Sequence, residues 1–194
     1  MMRFDRDALI AALGRPLVAS SDYDLNPDIR PEGRVLKPAA VLVAISDAGL
    51  ILTKRASHLK HHPGQIAFPG GKVELDDADT TAAALREASE EIGLPPNMVQ
   101  VIGALPSHET VTAYQITPIL GLIRDVFHPK SDPNEVAEVF TVPLSHVLDP
   151  AQYRIEQRMW RGQMRRFYVV PYGPYYIWGA TARILRGLAM QVAS

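Results

Sequence analysis

The sequence predicts one α/β or α+β sandwich, on three observations. Short apolar runs of strand length, broken by turn residues, recur from residue 39 onward. Two long amphipathic helical patterns, at 80–92 and 176–192, lie far apart among them. With 47% hydrophobic and 21% charged residues in a 194-residue chain, there is enough apolar material for a core.

Each element has its own local reason. Phe4, Leu9, Ile10 and Leu13 recur at roughly helical spacing, and Gly14-Arg15-Pro16 ends the pattern. Residues 15–34 are rich in Ser, Asp, Pro and Gly without an apolar period, as in a loop or extended arm, so residues 1–34 read as an N-terminal helix and arm preceding a domain at 35–194. Ala39–Ile45 is a continuous apolar run, as in a buried strand; Asp47-Ala48-Gly49 is a turn, and Leu50–Thr53 is the return strand of a hairpin. A polar loop with His61 and His62 runs through Gly64, and Ile66–Val73 follows as strand, turn and strand. The helix over 80–92 places Thr81, Leu85, Ala88 and Ile92 on one face, with Asp79 as N-cap, Gly93 at its C-terminal end and Pro95-Pro96 preventing continuation. Strands are expected at 99–104, 115–124, 136–142 and 165–170, and a final helix over Tyr176–Val192 aligns Trp178, Thr181, Leu185, Leu188 and Val192.

Composition excludes several chemistries. No cysteine is present, which removes disulfides, thiolate zinc sites, iron–sulfur clusters and a thiol nucleophile. The formal net charge of -1 argues against a dedicated nucleic-acid binder, while leaving room for a phosphate ligand whose charge a divalent cation meets locally. No stretch reaches the roughly 20 apolar residues of a membrane span, and the first residues lack the apolar core of a secretory signal. The expectation is a cytoplasmic protein without membrane or nucleic-acid partners.

The helix at 80–92 carries Arg86-Glu87-Ala88-Ser89-Glu90-Glu91. At about 100° per residue, Glu87, Glu90 and Glu91 are expected opposite Leu85, Ala88 and Ile92. Like charges one turn apart cost a helix a few tenths of a kcal/mol, and a divalent cation converts that repulsion into coordination. Mg²⁺ suits such a site, because it takes oxygen ligands and is commonly shared between carboxylates and substrate phosphates. The same pattern also describes a solvated acidic face. Gly70-Gly71-Lys72-Val73-Glu74 precedes the helix, and Arg86 can hold a carboxylate by a forked hydrogen bond.

Glycine, loop acid, Arg-Glu, Glu-Glu and Gly in that order resemble the Nudix box, Gx5Ex7REUxEExGU, where U is aliphatic. Residues 86–94 fit its second half, with Ala88 in an aliphatic place; between Gly71 and Arg86 the spacing is one residue longer, so the loop acid becomes Asp77 or Asp76. Upstream, Leu50-Ile51-Leu52-Thr53-Lys54-Arg55, Leu59 and His62-Pro63-Gly64-Gln65-Ile66-Ala67-Phe68-Pro69-Gly70-Gly71 resemble the extra signature of the coenzyme A pyrophosphatase branch, roughly LLTxRxxxLxxHxGQxxFPGG. That branch also carries the longer box.

The resemblance implies an α/β/α sandwich with a mixed β-sheet between helices. It implies metal-dependent hydrolysis of a pyrophosphate bond, in coenzyme A or its derivatives, giving 3′,5′-ADP and 4′-phosphopantetheine. Glu87, Glu90 and Glu91 would hold Mg²⁺ or Mn²⁺, with Arg86 beside them. Either a box Glu or an acid on a later loop would take the proton, and Glu135 and Glu138 are the later candidates, Glu138 being the one adopted. Arg55 offers a planar fork for phosphate or a surface ion pair; His62 reads as a turn residue or a phosphate contact; Gln65 can meet a base or phosphate; Gly70 and Gly71 allow backbone approach to an anion or simply make a turn. Tyr114 and Phe140 read as core rather than stacking partners. Alternatives within the family are ADP-ribose, a dinucleotide or a nucleoside triphosphate as substrate; a non-catalytic sensor would be expected to lose box carboxylates. Pairing of the N-terminal arm with a second subunit would make a homodimer.

Overall fold

The computed structural model describes residues 6–15, 18–160 and 162–193. Phe4 and Pro16, which belong to the first expected helix and its end, lie outside them. In chain order the elements are α1 (Arg6–Leu13), β1 (Ser20–Ser21), β2 (Lys37–Ser46), β3 (Gly49–Arg55), β4 (Ile66–Ala67), β5 (Gly70–Lys72), α2 (Thr80–Ile92), β6 (Val99–Ala104), β7 (His108–Glu109), β8 (Tyr114–Ile123), β9 (Val136–Val142), α3 (Leu144–Val147), β10 (Arg154–Trp160), β11 (Gln163–Val169) and α4 (Gly179–Ala193).

Strand β2 is the centre of a mixed sheet. It pairs in parallel with β8 and antiparallel with β3 and β5, and β1, β7, β6, β4 and β9 extend the sheet around them. Its apolar run is continuous because both faces are covered. Ala40, Leu42 and Ala44 meet Ala83, Ala84, Ala88 and Ile92 of α2. Val43 and Ile45 point to the opposite layer, where Leu9 of α1 and Leu185 and Leu188 of α4 close a second core. This is the expected sandwich of a mixed sheet between helices. No described helix is long and apolar enough to cross a membrane.

Helix α2 begins and ends where its sequence directs. The Asp79 carboxylate accepts the Ala82 N–H at 2.8 Å, and Gly93, at φ 70°, closes the C-terminus by donating to Ala88 and Ser89 carbonyls. Asp79→Ala removes that N-cap bond and should cost about 1 kcal/mol. A lower urea midpoint at unchanged slope would show it; an unchanged midpoint would mean water replaces the cap without loss.

Several sequence expectations need correction. Ile10, expected on the apolar face of the first helix, is exposed, while Leu9 is fully buried. The last helix starts at Gly179 rather than Tyr176, because Ile177 and Trp178 are extended: Ile177 accepts the Val170 N–H at 2.9 Å, Trp178 bridges Val169, and Gly179 sits at φ 64°. Strand β10 was not among the expected strands; it is rich in Arg, Glu and Gln and becomes a strand through seven registered pairs with β11.

The arm after α1 folds back on its own chain. Ser20–Ser21 pairs with β7, Arg30 and Arg34 each reach Glu109 at 2.7 Å, Asn26 exchanges hydrogen bonds with the backbone of Arg166, and Arg183 pairs with Asp24. Under it lies a polar cluster: fully buried His108 meets Ser20 Oγ at 2.9 Å and Asp22 Oδ1 at 3.1 Å, and Asp22 Oδ2 accepts the Val111 N–H. Every hydrogen-bonding atom of that cluster has a partner, as its burial requires.

Candidate active site

The site forms where α2 crosses the β4–β5 turn. Gly71 pairs with Ala40 and lies against the Glu87 carboxylate; a Cβ on Gly71 would sit 2.6 Å from Glu87 Cδ, so glycine leaves the space this carboxylate occupies. Gly70, at φ 154°, is pressed against Ala40 and Val41, and its N–H donates to Glu91 Oε2 at 3.2 Å.

The three helix acids occupy three different environments. Glu91 is 3% exposed, Glu87 is partly buried, and Glu90 is open to solvent with one oxygen on Arg86 at 2.9 Å. The expectation that all three stand opposite the core is therefore corrected for Glu91. The buried arc of α2 includes Ala84, Ala88 and Glu91, because three small alanines let the helix sit close on the sheet. Among the described residues no three acids or histidines already converge as a ready-made metal cage.

Burial raises the Glu91 pKa to about 8; the Gly70 N–H and Arg55 oppose the rise, while Glu87 and Glu135 add to it. Glu87 is likewise pushed up by burial, against Arg86, with Glu90 and Glu135 contributing. A buried carboxyl repelled by two neighbours is stabilised in its charged form by a nearby cation. Such a donor set fits a divalent metal, which needs only one or two protein carboxylates when phosphate and water complete its shell.

Arg86 organises the rim. It forks onto Asp77 through Nε (3.0 Å) and Nη2 (2.9 Å), and also reaches Glu87, Glu90 and the Lys72 carbonyl. Asp77 accepts the Glu74 N–H as well, and these bonds hold it below the usual carboxylate range. The loop acid expected from the sequence is thus Asp77, engaged by Arg86, whereas Asp76 is exposed.

Arg55 ends β3 and forms no ion pair with any described residue, yet its charge is felt by both Glu91 and His62. His62 takes a left-handed backbone (φ 54°) and is held below its ordinary pKa, first by burial and then by Arg55 and His61, so it is neutral at pH 7. Gln65 lies beside it, its backbone N–H donating to the His62 carbonyl at 3.2 Å. The arm carboxylate Asp22 also acts on His62, a connection with no signal in the sequence.

The two later acids are separated by the fold. Glu135 is exposed, donates its N–H to Asp132, and its charge raises both Glu87 and Glu91. Glu138 accepts the Tyr175 hydroxyl at 2.5 Å, and Tyr175 stacks on Phe140 with ring centroids 3.6 Å apart. Phe140 therefore both borders the core and stacks; Tyr175 was not anticipated.

The NUDIX domain family matches residues 36–161, which run from β2 through β10 and include α2 and the glycine turn. The chain belongs to the Nudix hydrolase family. Relatives agree: the chain is 46% identical over 159 residues to an uncharacterized Nudix hydrolase, NudL, from Enterobacter sp. (strain 638), covering 80% of this chain and 83% of the relative. A NudL from Escherichia coli O1:K1 / APEC is 43% identical over 171 residues, 87% and 89% of the two chains. Among solved structures, a MutT/nudix family protein from Enterococcus faecalis has a TM-score of 0.50 at 14% identity, over 82% of this chain and 62% of that one, a likeness of fold alone. As a Nudix hydrolase the chain is an enzyme, and the family acts with divalent metal ions on small nucleotide derivatives.

Proposed function

We propose that this Nudix hydrolase cleaves the pyrophosphate of coenzyme A or a close derivative, with Glu87 and Glu91 as the principal carboxylates for Mg²⁺ or Mn²⁺ and Glu90 at the exposed end of the cluster. The observation that supports it most is the placement of Glu91: a buried acid on the Gly70 N–H, beside Glu87 and Glu135, a donor set that a divalent cation would complete. Bound there, the metal supplies Lewis-acid stabilisation of phosphate oxygens and lowers the pKa of water. The chain's residues do the rest. Arg86, anchored on Asp77, fixes Glu87 and Glu90 at its Nη1. Arg55, whose charge reaches Glu91, presents a planar guanidinium suited to a phosphate oxygen. Gly70 and Gly71 keep the floor of the site free of side chains.

For the proton, Glu135 is better placed than Glu138, since its charge already reaches Glu87 and Glu91 while Glu138 is held by Tyr175. Substrate choice follows the 50–71 segment, whose Arg55, His62 and Gln65 are drawn together around Gly64 by backbone hydrogen bonds. Turnover of coenzyme A, ADP-ribose, NADH and nucleoside triphosphates with Mg²⁺ and with Mn²⁺, followed by product chromatography, should show coenzyme A preferred at least tenfold. Equal or better turnover of ADP-ribose would sink the substrate assignment and leave the metal site standing.

A further inference from the structure

Strands β10 and β11 form a hairpin that joins no other sheet. Its inner strand β11 is supported: Asn26 bonds the Arg166 backbone, Trp178 bridges Val169, and Phe167 packs on the Trp178 ring. Its outer strand β10 is an edge: among the described residues no backbone hydrogen bond links Arg154–Met159 to anything but β11. Ile155, Met159 and Met164, all on one face of the hairpin, are 53%, 59% and 49% exposed. A long edge with exposed apolar side chains is a template for another strand, and a two-stranded hairpin is marginal by itself.

The edge is complementary to itself. A twofold axis perpendicular to the hairpin pairs β10 antiparallel with the same strand of a second copy, and each residue then meets one that faces the same side. With Gln157 on the axis, Ile155 meets the second copy's Met159, and Glu156 meets its Arg158. Moving the axis by one residue sets Glu156 against Glu156 or Arg158 against Arg158, which disfavours those registers. Glu156 is 34% exposed while bonded to Arg154 and Tyr176, so it retains a face for a further partner. Across the joined sheet Met164, Met159 and the second copy's Ile155 and Tyr168 line up as one apolar row. We propose that two copies of this chain associate through β10, edge to edge about Gln157, into a continuous four-stranded sheet.

The chain has no cysteine, so a single introduced one reports adjacency cleanly. Residues facing each other across an antiparallel axis have Cα atoms about 4.5–5.5 Å apart, inside the disulfide range of about 4.4–6.8 Å. Gln157→Cys should therefore form a disulfide-linked dimer under a mild oxidant. Ile155→Cys should stay uncrosslinked, because its counterpart lies four residues along the partner strand, roughly 13 Å away. Sedimentation equilibrium of the unmodified protein should give a dimer, Glu156→Lys a monomer, and Glu156→Lys with Arg158→Glu a dimer again. A monomeric wild type, no crosslink at 157, or equal crosslinking at 155 and 157 would overturn the proposal.

Discussion

Replacing Glu91 with Gln should lower turnover by roughly three orders of magnitude, the scale seen when a group aimed at transition-state charge is removed, while the fold survives. Gln keeps the size of the side chain and can still accept the Gly70 N–H, so circular dichroism should not change. Stability should change in the opposite sense to activity. Burial raises Glu91 from its ordinary 4.5 to about 8 in the folded chain. Between those values the folded protein binds a proton that the unfolded chain has released, so without metal stability falls as pH rises from 4.5 and levels off above about 8. Gln has no such proton, so its urea midpoint in a chelating buffer should be flatter over this window. A variant that retains near wild-type rate would remove Glu91 from the ligand set. One that loses rate only because it unfolds would remove it from the chemistry.

Gly70→Ala should be the most destabilising single substitution at the site, about 3 kcal/mol or more, because two named mechanisms act together. The backbone at φ 154° is one that side chains rarely adopt, and a Cβ would lie 2.5 Å from the Ala40 carbonyl oxygen and 2.6 Å from Val41 Cα, both backbone atoms of the central strand. Neither can yield without parting β5 from β2. Gly71→Ala is the informative contrast, since the atoms nearest its Cβ are those of the Glu87 carboxylate, a side chain that can swing away. That variant should keep its melting temperature within a few degrees and lose turnover instead, through displacement of Glu87. If both variants melt alike, the backbone contact at Gly70 is not the controlling one.

Local chemistry was legible wherever a few adjacent residues determine it. Asp79 and Gly93 bound α2 because a cap needs only its own helix end. The run from Ala39 to Ile45 marked a strand covered on both faces, and the order of glycines, Arg86 and acids marked the site. What failed was whatever depended on a partner distant in sequence. Strand β10 is polar and exposed, and β11 makes it a strand. Tyr176–Trp178 has helical spacing, and pairing to Val169 and Val170 keeps it extended. Asp22 sits in a segment without periodicity, and His108, 86 residues away, gives it a place.

The carboxylates show the division most clearly. The sequence by itself determined that Glu87, Glu90 and Glu91 share a short stretch of helix with Arg86 behind a glycine turn, because helical spacing and turn chemistry are properties of neighbouring residues. Only the tertiary structure decided that they are unequal: Glu91 buried against Gly70, Glu87 over Gly71, Glu90 in solvent on Arg86. Three alanines set how close α2 lies to the sheet, and so which acid leaves water. Desolvation, which sets the charge each acid carries, depends on that packing and on nothing local.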